Sequence, residues 1–230
     1  MLIKIKRQQD AASVPYWQSF QCDTTPDMTV SALLDKLNYT DDLYDIEGNA
    51  APRIRWECSC SQKMCGACAM VINGTPKLAC ATFLRDIKCD KLTLEPLSKF
   101  PVVADLIVDR SMIEEHFHKA EVYLGAYKKL DKKDFPQLYS AAKCLKCGLC
   151  LEVCPNYSKG ESFFGALFAN EVYLLSLQSA DRSEKLKKEY AKHFATGCSK
   201  ALSCIKVCPM EIDTLASMAK MNRFGKHGKQ

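Results

Sequence analysis

The 230-residue sequence has no run approaching the ~20 consecutive apolar residues that a bilayer-spanning helix needs. Its best stretch, SFFGALFANEVYLLSLQ, is interrupted by Asn170 and Glu171 and predicts a buried helix. The opening MLIKIKRQQD mixes charge into its apolar residues and lacks the continuous apolar core of a secretory leader. The expected location is therefore the cytoplasm, with any membrane association coming through a partner. Long blocks of one charge sign are scarce as well. The net charge of +5 is spread through mixed segments such as DRSEKLKKEY, which suit a solvated helix face and not a nucleic-acid stripe. Only the tail MNRFGKHGKQ is one-sidedly basic, as a frayed terminus would be. With 47% hydrophobic and 26% charged residues, the chain can bury packed cores, and its length allows two domains.

Cysteine is present in excess, at 14 residues. In a short secreted chain this would suggest a disulfide framework. In a leaderless chain of this size thiols are expected to stay reduced. All but Cys22, Cys58 and Cys89 fall into three groups with regular spacing, which argues for metal. Those three are expected to pack as small hydrophobes.

Residues 1–102 read as strands and turns around one helix. MLIKIKRQ alternates apolar and basic residues, as a half-buried strand does, and WQSFQCDT is its expected partner. MTVSALLDKLN follows the N-cap signal TTPD and sets Val30, Leu33, Leu34 and Leu37 on one helical face. AMVING and TPKLACAT predict a hairpin turning at Asn73-Gly74, and DKLTLEPL a last strand before LSKFPVV. This order predicts a small β-grasp domain. After that the period becomes helical, in ADLIVDRSMIEEHFHKAEVYLGAYKKL, in residues 161–180 and in residues 183–195. Pro155 and Pro209 close two cysteine loops between those helices. The predicted fold class is α+β: a β-grasp domain over residues 1–102, then an all-α dicluster domain over residues 103–230.

The first cysteine group is Cys60, Cys65, Cys68 and Cys80, the C-x4-C-x2-C…C spacing of plant-type [2Fe–2S] ferredoxins. Three thiolates from one irregular loop can wrap a cluster while backbone N–H groups point at its sulfurs. Gly66 and Ala67 are small enough for the backbone to come close. Using Cys58 as a ligand would put six residues in the first gap instead of four. Zinc is the competing reading, but zinc sites more often pair two separated C-x2–4-C knuckles.

The second group, CLKCGLCLEVCP, is the bacterial C-x2-C-x2-C-x3-C-P run, whose fourth cysteine reaches the other cluster of a pair. CSKALSCIKVCP repeats it: Cys198 falls on Cys144, Cys204 on Cys150 and Cys208 on Cys154, while Ala201 stands where Cys147 does. Exchange of the last cysteines assigns Cys144, Cys147, Cys150 and Cys208 to a [4Fe–4S] cluster and Cys154, Cys198 and Cys204 to a second centre. Three thiolates suit a [3Fe–4S] cluster there. A [4Fe–4S] cluster with water or another residue on its fourth iron is the alternative.

Taken together, these motifs resemble the iron–sulfur subunit of succinate dehydrogenase and fumarate reductase, over nearly the full length. RWECSCSQKMCGACAMVINGTPKLAC is similar to that family's [2Fe–2S] loop, and MTVSALLDKL and LEPLSKFPVVADLIVDRS sit where it has comparable segments. The resemblance implies a plant-type ferredoxin domain followed by an alpha-helical ferredoxin domain, with no catalytic residue on this chain. Its three clusters would form a wire from the covalent FAD of a flavoprotein subunit to a quinone site at membrane-anchor subunits, with [3Fe–4S] next to the quinone. Attachment would then be peripheral, on the inner face of the cell membrane. One departure is CPNYSKGESFFG, which has no tryptophan where succinate–quinone enzymes often carry one; either Tyr157 lies near that pocket or the terminal partner differs. Competing functions are the same wiring with another flavin-dependent reductase or dehydrogenase, and a free-standing ferredoxin carrier. No further cysteine-rich module follows Cys208, which argues against a thiol-linked reductase.

The remaining candidates have structural roles in this reading. His116, His118 and His193 are expected on helix faces or at the surface, since the thiolate count is sufficient without them. Phe163, Phe164, Leu167 and Phe168 are expected in the core.

Overall fold

The computed structural model describes residues 1–158 and 160–226; residues 227–230, the end of the basic tail, lie outside the described residues. The chain divides into two compact units, Met1–Asp109 and Arg110–Gln230. The two compact units divide between Asp109 and Arg110.

The first unit is built on a five-stranded sheet in the order β2-β1-β7-β5-β6. In β1, Leu2–Arg7, alternation puts Ile3, Ile5 and Arg7 inward. It pairs antiparallel with β2, Tyr16–Gln21, and parallel with β7, Lys91–Glu95. The helix α1, Val30–Asn38, buries Val30, Leu33, Leu34 and Leu37, the face that its period predicted. Its cap is Thr29, whose side chain accepts from Ala32 N, so TTPD lies one turn too early. Short strands β3, Leu43–Tyr44, and β4, Ala50–Ala51, pair with each other. The hairpin β5, Ala69–Ile72, to β6, Thr75–Leu78, turns at Asn73 and Gly74, with φ of +48° and +73°. Two left-handed residues in a two-residue loop match the twist of the flanking strands. The Asn73 Oδ1 also accepts from Thr93 N at 2.6 Å, tying the turn to β7.

Helical periodicity misled after residue 103. The chain instead makes a small hairpin of β8, Val102–Ala104, and β9, Ile107–Val108. Its turn residue Asp105 explains why. Asp105 accepts from the Arg7 Nε at 2.9 Å, from Gln8 N at 3.0 Å and from Arg55 N at 2.9 Å. The Arg7 side chain is 2% exposed and also donates to Gln18 and to the carbonyls of Pro52 and Arg53. A buried charge held this fully draws residues 102–108 onto the first unit. Helix α2 starts only afterwards, at Ser111–Lys119, and does not extend through residues 120–130, which the period also marked as helical.

The second unit is helical. Its centre is α5, Gly165–Gln178, buried at Ala166, Leu167, Phe168, Ala169, Asn170, Val172, Tyr173 and Ser176. Asn170, which interrupts the apolar run in the sequence, donates to the Ala141 carbonyl at 2.9 Å. Helices α3, Phe135–Ala142, α4, Leu149–Glu152, α6, Ser183–Tyr190, and α8, Thr214–Lys226, pack on α5. Helix α6 runs on into a π-helical turn, Ala191–Ala195, and the short α7, Ser203–Lys206, packs against α4. Among the described residues no helix is long and apolar enough to cross a membrane.

Candidate metal centres

The first cysteine loop lies between β4 and β5 and contains three left-handed residues, Ser61, Lys63 and Gly66, at φ +51°, +62° and +77°. These reversals aim main-chain N–H groups at sulfur. Gln62 N and Met64 N donate to the Cys60 Sγ at 3.4 and 3.2 Å. Lys63 N reaches across to the Cys80 Sγ at 3.3 Å, and Cys80 N donates to the Cys68 Sγ at 3.5 Å. Cys80 follows β6, in the short turn Ala79–Ala81. The two sides of the site differ in electrostatics. The N–H groups of Gln62 and Met64 hold the Cys60 thiol down to about 7, whereas burial pushes Cys68 up to about 12.

In the second unit Cys144, Cys147, Cys150 and Cys208 line one cavity, walled also by Leu167 and Ile212. The last cysteine of the second run thus meets the first three of the first run, as the exchange rule requires. Cys198 and Cys204 line another cavity, with Phe194, Leu202, Leu215 and Met218. Cys154 lies close enough to act on Cys204: burial first, then the negative charges of Cys154 and Cys198, raise the Cys204 thiol. Burial likewise pushes Cys144 up to about 11 and Cys150 well above its ordinary range.

The two runs fold alike. Leu151 N donates to the Gly148 carbonyl at 2.9 Å, and Ile205 N to the Leu202 carbonyl at 3.2 Å. Cys154 N donates to Leu151 and Cys208 N to Ile205; Tyr157 N donates to Cys154 and Glu211 N to Cys208. Left-handed residues recur at matching places, Lys146 and Gly148 in one loop and Lys200 and Leu202 in the other. The loop containing Ala201 therefore retains the backbone of the loop containing Cys147.

Cysteine thiolates gathered in this way suit iron–sulfur clusters. Among the described residues no group of three or more Cys, His, Asp or Glu converges on a single-ion site.

Several residues stand elsewhere than expected. Cys22 is buried, but Cys58 and Cys89 are exposed. They find polar partners instead, Ser61 Oγ at 3.2 Å for Cys58 and the Lys91 carbonyl at 2.8 Å for Cys89. Tyr157 is buried, with its hydroxyl on the Met112 Sδ at 3.3 Å. Phe163, Phe164, Leu167 and Phe168 are core residues. His118 is exposed, His116 is half-buried, and His193 is 3% exposed. His193 leaves the surface because its ring stacks on Phe164 and its Nδ1 pairs with the Ser162 carbonyl. Sequence reading expected sulfur-directed N–H groups in this loop but not that Gln62, Lys63 and Met64 supply them, since main-chain donors have no side-chain signature.

Comparison with known proteins agrees with this geometry. Residues 2–115 match the 2Fe-2S iron-sulfur cluster binding domain, and residues 140–212 the 4Fe-4S dicluster domain. The succinate dehydrogenase iron-sulfur subunit of Bacillus subtilis is 30% identical over 230 residues, covering 95% of this chain and 90% of its own. The fumarate reductase iron-sulfur subunit of Wolinella succinogenes is 28% identical, covering 94% and 92%. A chain of the Mycobacterium smegmatis Sdh1 complex in the apo form has the same fold, with a TM-score of 0.78 at 22% identity over 99% of this chain and 96% of that one. Two ferredoxin-type domains in this order, and relatives matched almost end to end, establish that the chain belongs to the succinate dehydrogenase/fumarate reductase iron–sulfur subunit family, as the electron-transfer subunit of such a complex.

Proposed function

We propose that this subunit carries electrons between the FAD of a flavoprotein partner and a quinone site on membrane-anchor partners, which hold it peripherally on the inner face of the cell membrane. In this reading Cys60, Cys65, Cys68 and Cys80 hold [2Fe–2S], Cys144, Cys147, Cys150 and Cys208 hold [4Fe–4S], and Cys154, Cys198 and Cys204 hold [3Fe–4S]. The two domains meet at residues 102–103 by sequence pattern and at 109–110 by compactness. When bound, the clusters supply one-electron carriers.

The protein's own contribution is electrostatic. The N–H groups of Gln62, Lys63 and Met64 stabilise thiolate charge on the more open side of the first site. On the buried sides, Cys68, Cys144 and Cys150 disfavour a free thiolate, and bound iron would supply the compensating positive charge. Iron loading and folding of the loops are therefore expected to be coupled.

The observation that carries the reading is the repeated loop backbone with Ala201 in the place of Cys147. A decayed loop would have lost its shape along with its ligand. Keeping the shape and omitting one thiolate supports a three-iron centre. Purification of the native complex tests all parts together. A flavoprotein should co-purify, the complex should turn over succinate or fumarate with a quinone couple, and iron should approach about nine per chain. Oxidised protein should show a spin-half [3Fe–4S] EPR signal at low temperature. A chain that runs alone, or about ten irons without that signal, would overturn the reading.

A further inference from the structure

His193 sits in the π-helical turn Ala191–Ala195, a local widening of the helix of a kind that recurs at functional positions. Its ring lies on one face of Phe164, with centroids 4.0 Å apart and planes 6° from parallel. His116 of α2 covers the other face, at 3.9 Å and 8°. The Nδ1 of His193 stands 2.8 Å from the Ser162 carbonyl oxygen. A carbonyl only accepts, so Nδ1 must carry hydrogen. In a neutral ring the Nε2 is then an acceptor. That Nε2 faces the Glu189 Oε2 at 3.4 Å, within ion-pair range though not aligned as a hydrogen bond. Both atoms are shut off from water, and neither has a hydrogen-bond partner among the described residues.

Two buried acceptors facing each other are unfavourable unless a proton lies between them. We propose that His193 and Glu189 form a proton-holding site tied to the three-cysteine loop, which binds one proton when one electron arrives at the centre held by Cys154, Cys198 and Cys204. The proposal rests on the [3Fe–4S] reading given above. The electron comes from the preceding cluster and the proton from water, so the net charge of the region is unchanged.

The tie to the loop is short. Phe194 and Ala195, which follow His193, wall the cavity that Cys198 and Cys204 line. Gly197 N donates to the Phe194 carbonyl, and Phe163 occupies the space where a Gly197 side chain would lie. Charged and titratable groups around the pair come from two directions. Behind Phe164, α2 supplies His116 and Lys119, the latter 5.9 Å from that ring. From α6 come Lys188 and Tyr190, beside Glu189 in the chain, and Lys192 precedes His193. Helix α5 presents the uncharged ring of Phe168, edge-on to His193.

The test is an EPR-monitored redox titration of the three-iron signal in the intact complex, repeated over roughly pH 5 to 8, where imidazoles change charge. The reduction equilibrium should become less favourable as pH rises, by up to about tenfold per pH unit, or ~59 mV for one electron. Glu189→Gln should flatten this dependence while keeping the signal, because its carboxamide N–H donates to Nε2 without a shared proton. His193→Gln carries the same expectation if the first variant does not assemble. A potential independent of pH in the unaltered complex overturns this proposal alone, as does an unchanged slope in both variants. Absence of the three-iron signal overturns the cluster assignment, and this proposal with it.

Discussion

Leu202 stands at φ +59° in the place that Gly148 fills at φ +85° in the first cysteine run. Glycine takes that backbone freely, whereas a residue with a β-carbon gives up about 1–2 kcal/mol. The second loop therefore holds the shape of the first against a conformational penalty, with Ala201 beside Leu202 in place of the Cys147–Gly148 pair. Cys198 and Cys204 are positioned by that shape.

Because the backbone is already matched, Ala201→Cys should place a thiol where Cys147 has one. Iron should rise from about nine to about ten per chain, and the oxidised spin-half signal should vanish. The potential of that centre should fall, since a [4Fe–4S] cluster already holds ferrous iron. EPR and iron analysis on the purified complex measure all three, and an unchanged signal would remove Ala201 as the determinant of cluster type.

Two glycines separate backbone strain from crowding. Gly74 has φ +73° and open space around it, so Gly74→Ala should cost only the left-handed penalty, about 1–2 kcal/mol. Gly165 has φ +78°, and an added β-carbon would lie 2.3 Å from the Cδ2 of Leu151, a buried residue of the first cysteine run. Gly165→Ala should be destabilised beyond Gly74→Ala and should disturb cluster absorbance. Chemical denaturation of the loaded protein, followed at both signals, tests the ranking.

Acid should weaken the second unit through His116. Burial first, then the charges of Lys119 and His193, lower its pKa from 6.5 to about 4. The unfolded chain consequently binds more protons than the folded one between those values, and stability falls as pH drops through that window. His116→Phe keeps a ring on Phe164 without the titration. The difference in melting temperature between wild type and this variant should grow from pH 6.5 down to about 4, and a constant difference would refute the assignment.

Cys58 and Cys60 are two residues apart and should behave differently. Cys58 is exposed and bonded to Ser61, so Cys58→Ser should leave iron content intact and change stability by no more than ~0.5 kcal/mol. Cys60→Ser should lose or alter the [2Fe–2S] spectrum. Equal effects at both positions would reopen the identity of the first ligand.

Much of the molecule was legible in the chain itself. Cysteine spacing is a local constraint, because a cluster of fixed size demands a fixed number of intervening residues. The β1 alternation, the apolar face of α1 and the Asn73-Gly74 turn were legible for the same reason, since each depends on neighbours a few residues away. Periodicity failed at residues 120–130 and at residues 104–108. At residues 104–108 the deciding interaction is the pairing of Arg7 with Asp105, and nothing near Asp105 in sequence signals a partner in β1.

The sequence by itself determined the kind of site: three cysteine groups with iron–sulfur spacing and the single substitution at Ala201. Only the tertiary structure decided the electrostatics around them. The N–H groups aimed at Cys60 and Cys80, the left-handed Leu202, and the buried His193 facing Glu189 depend on backbone direction and on burial. Those are set by packing between segments distant in sequence, so they have no counterpart in residue order.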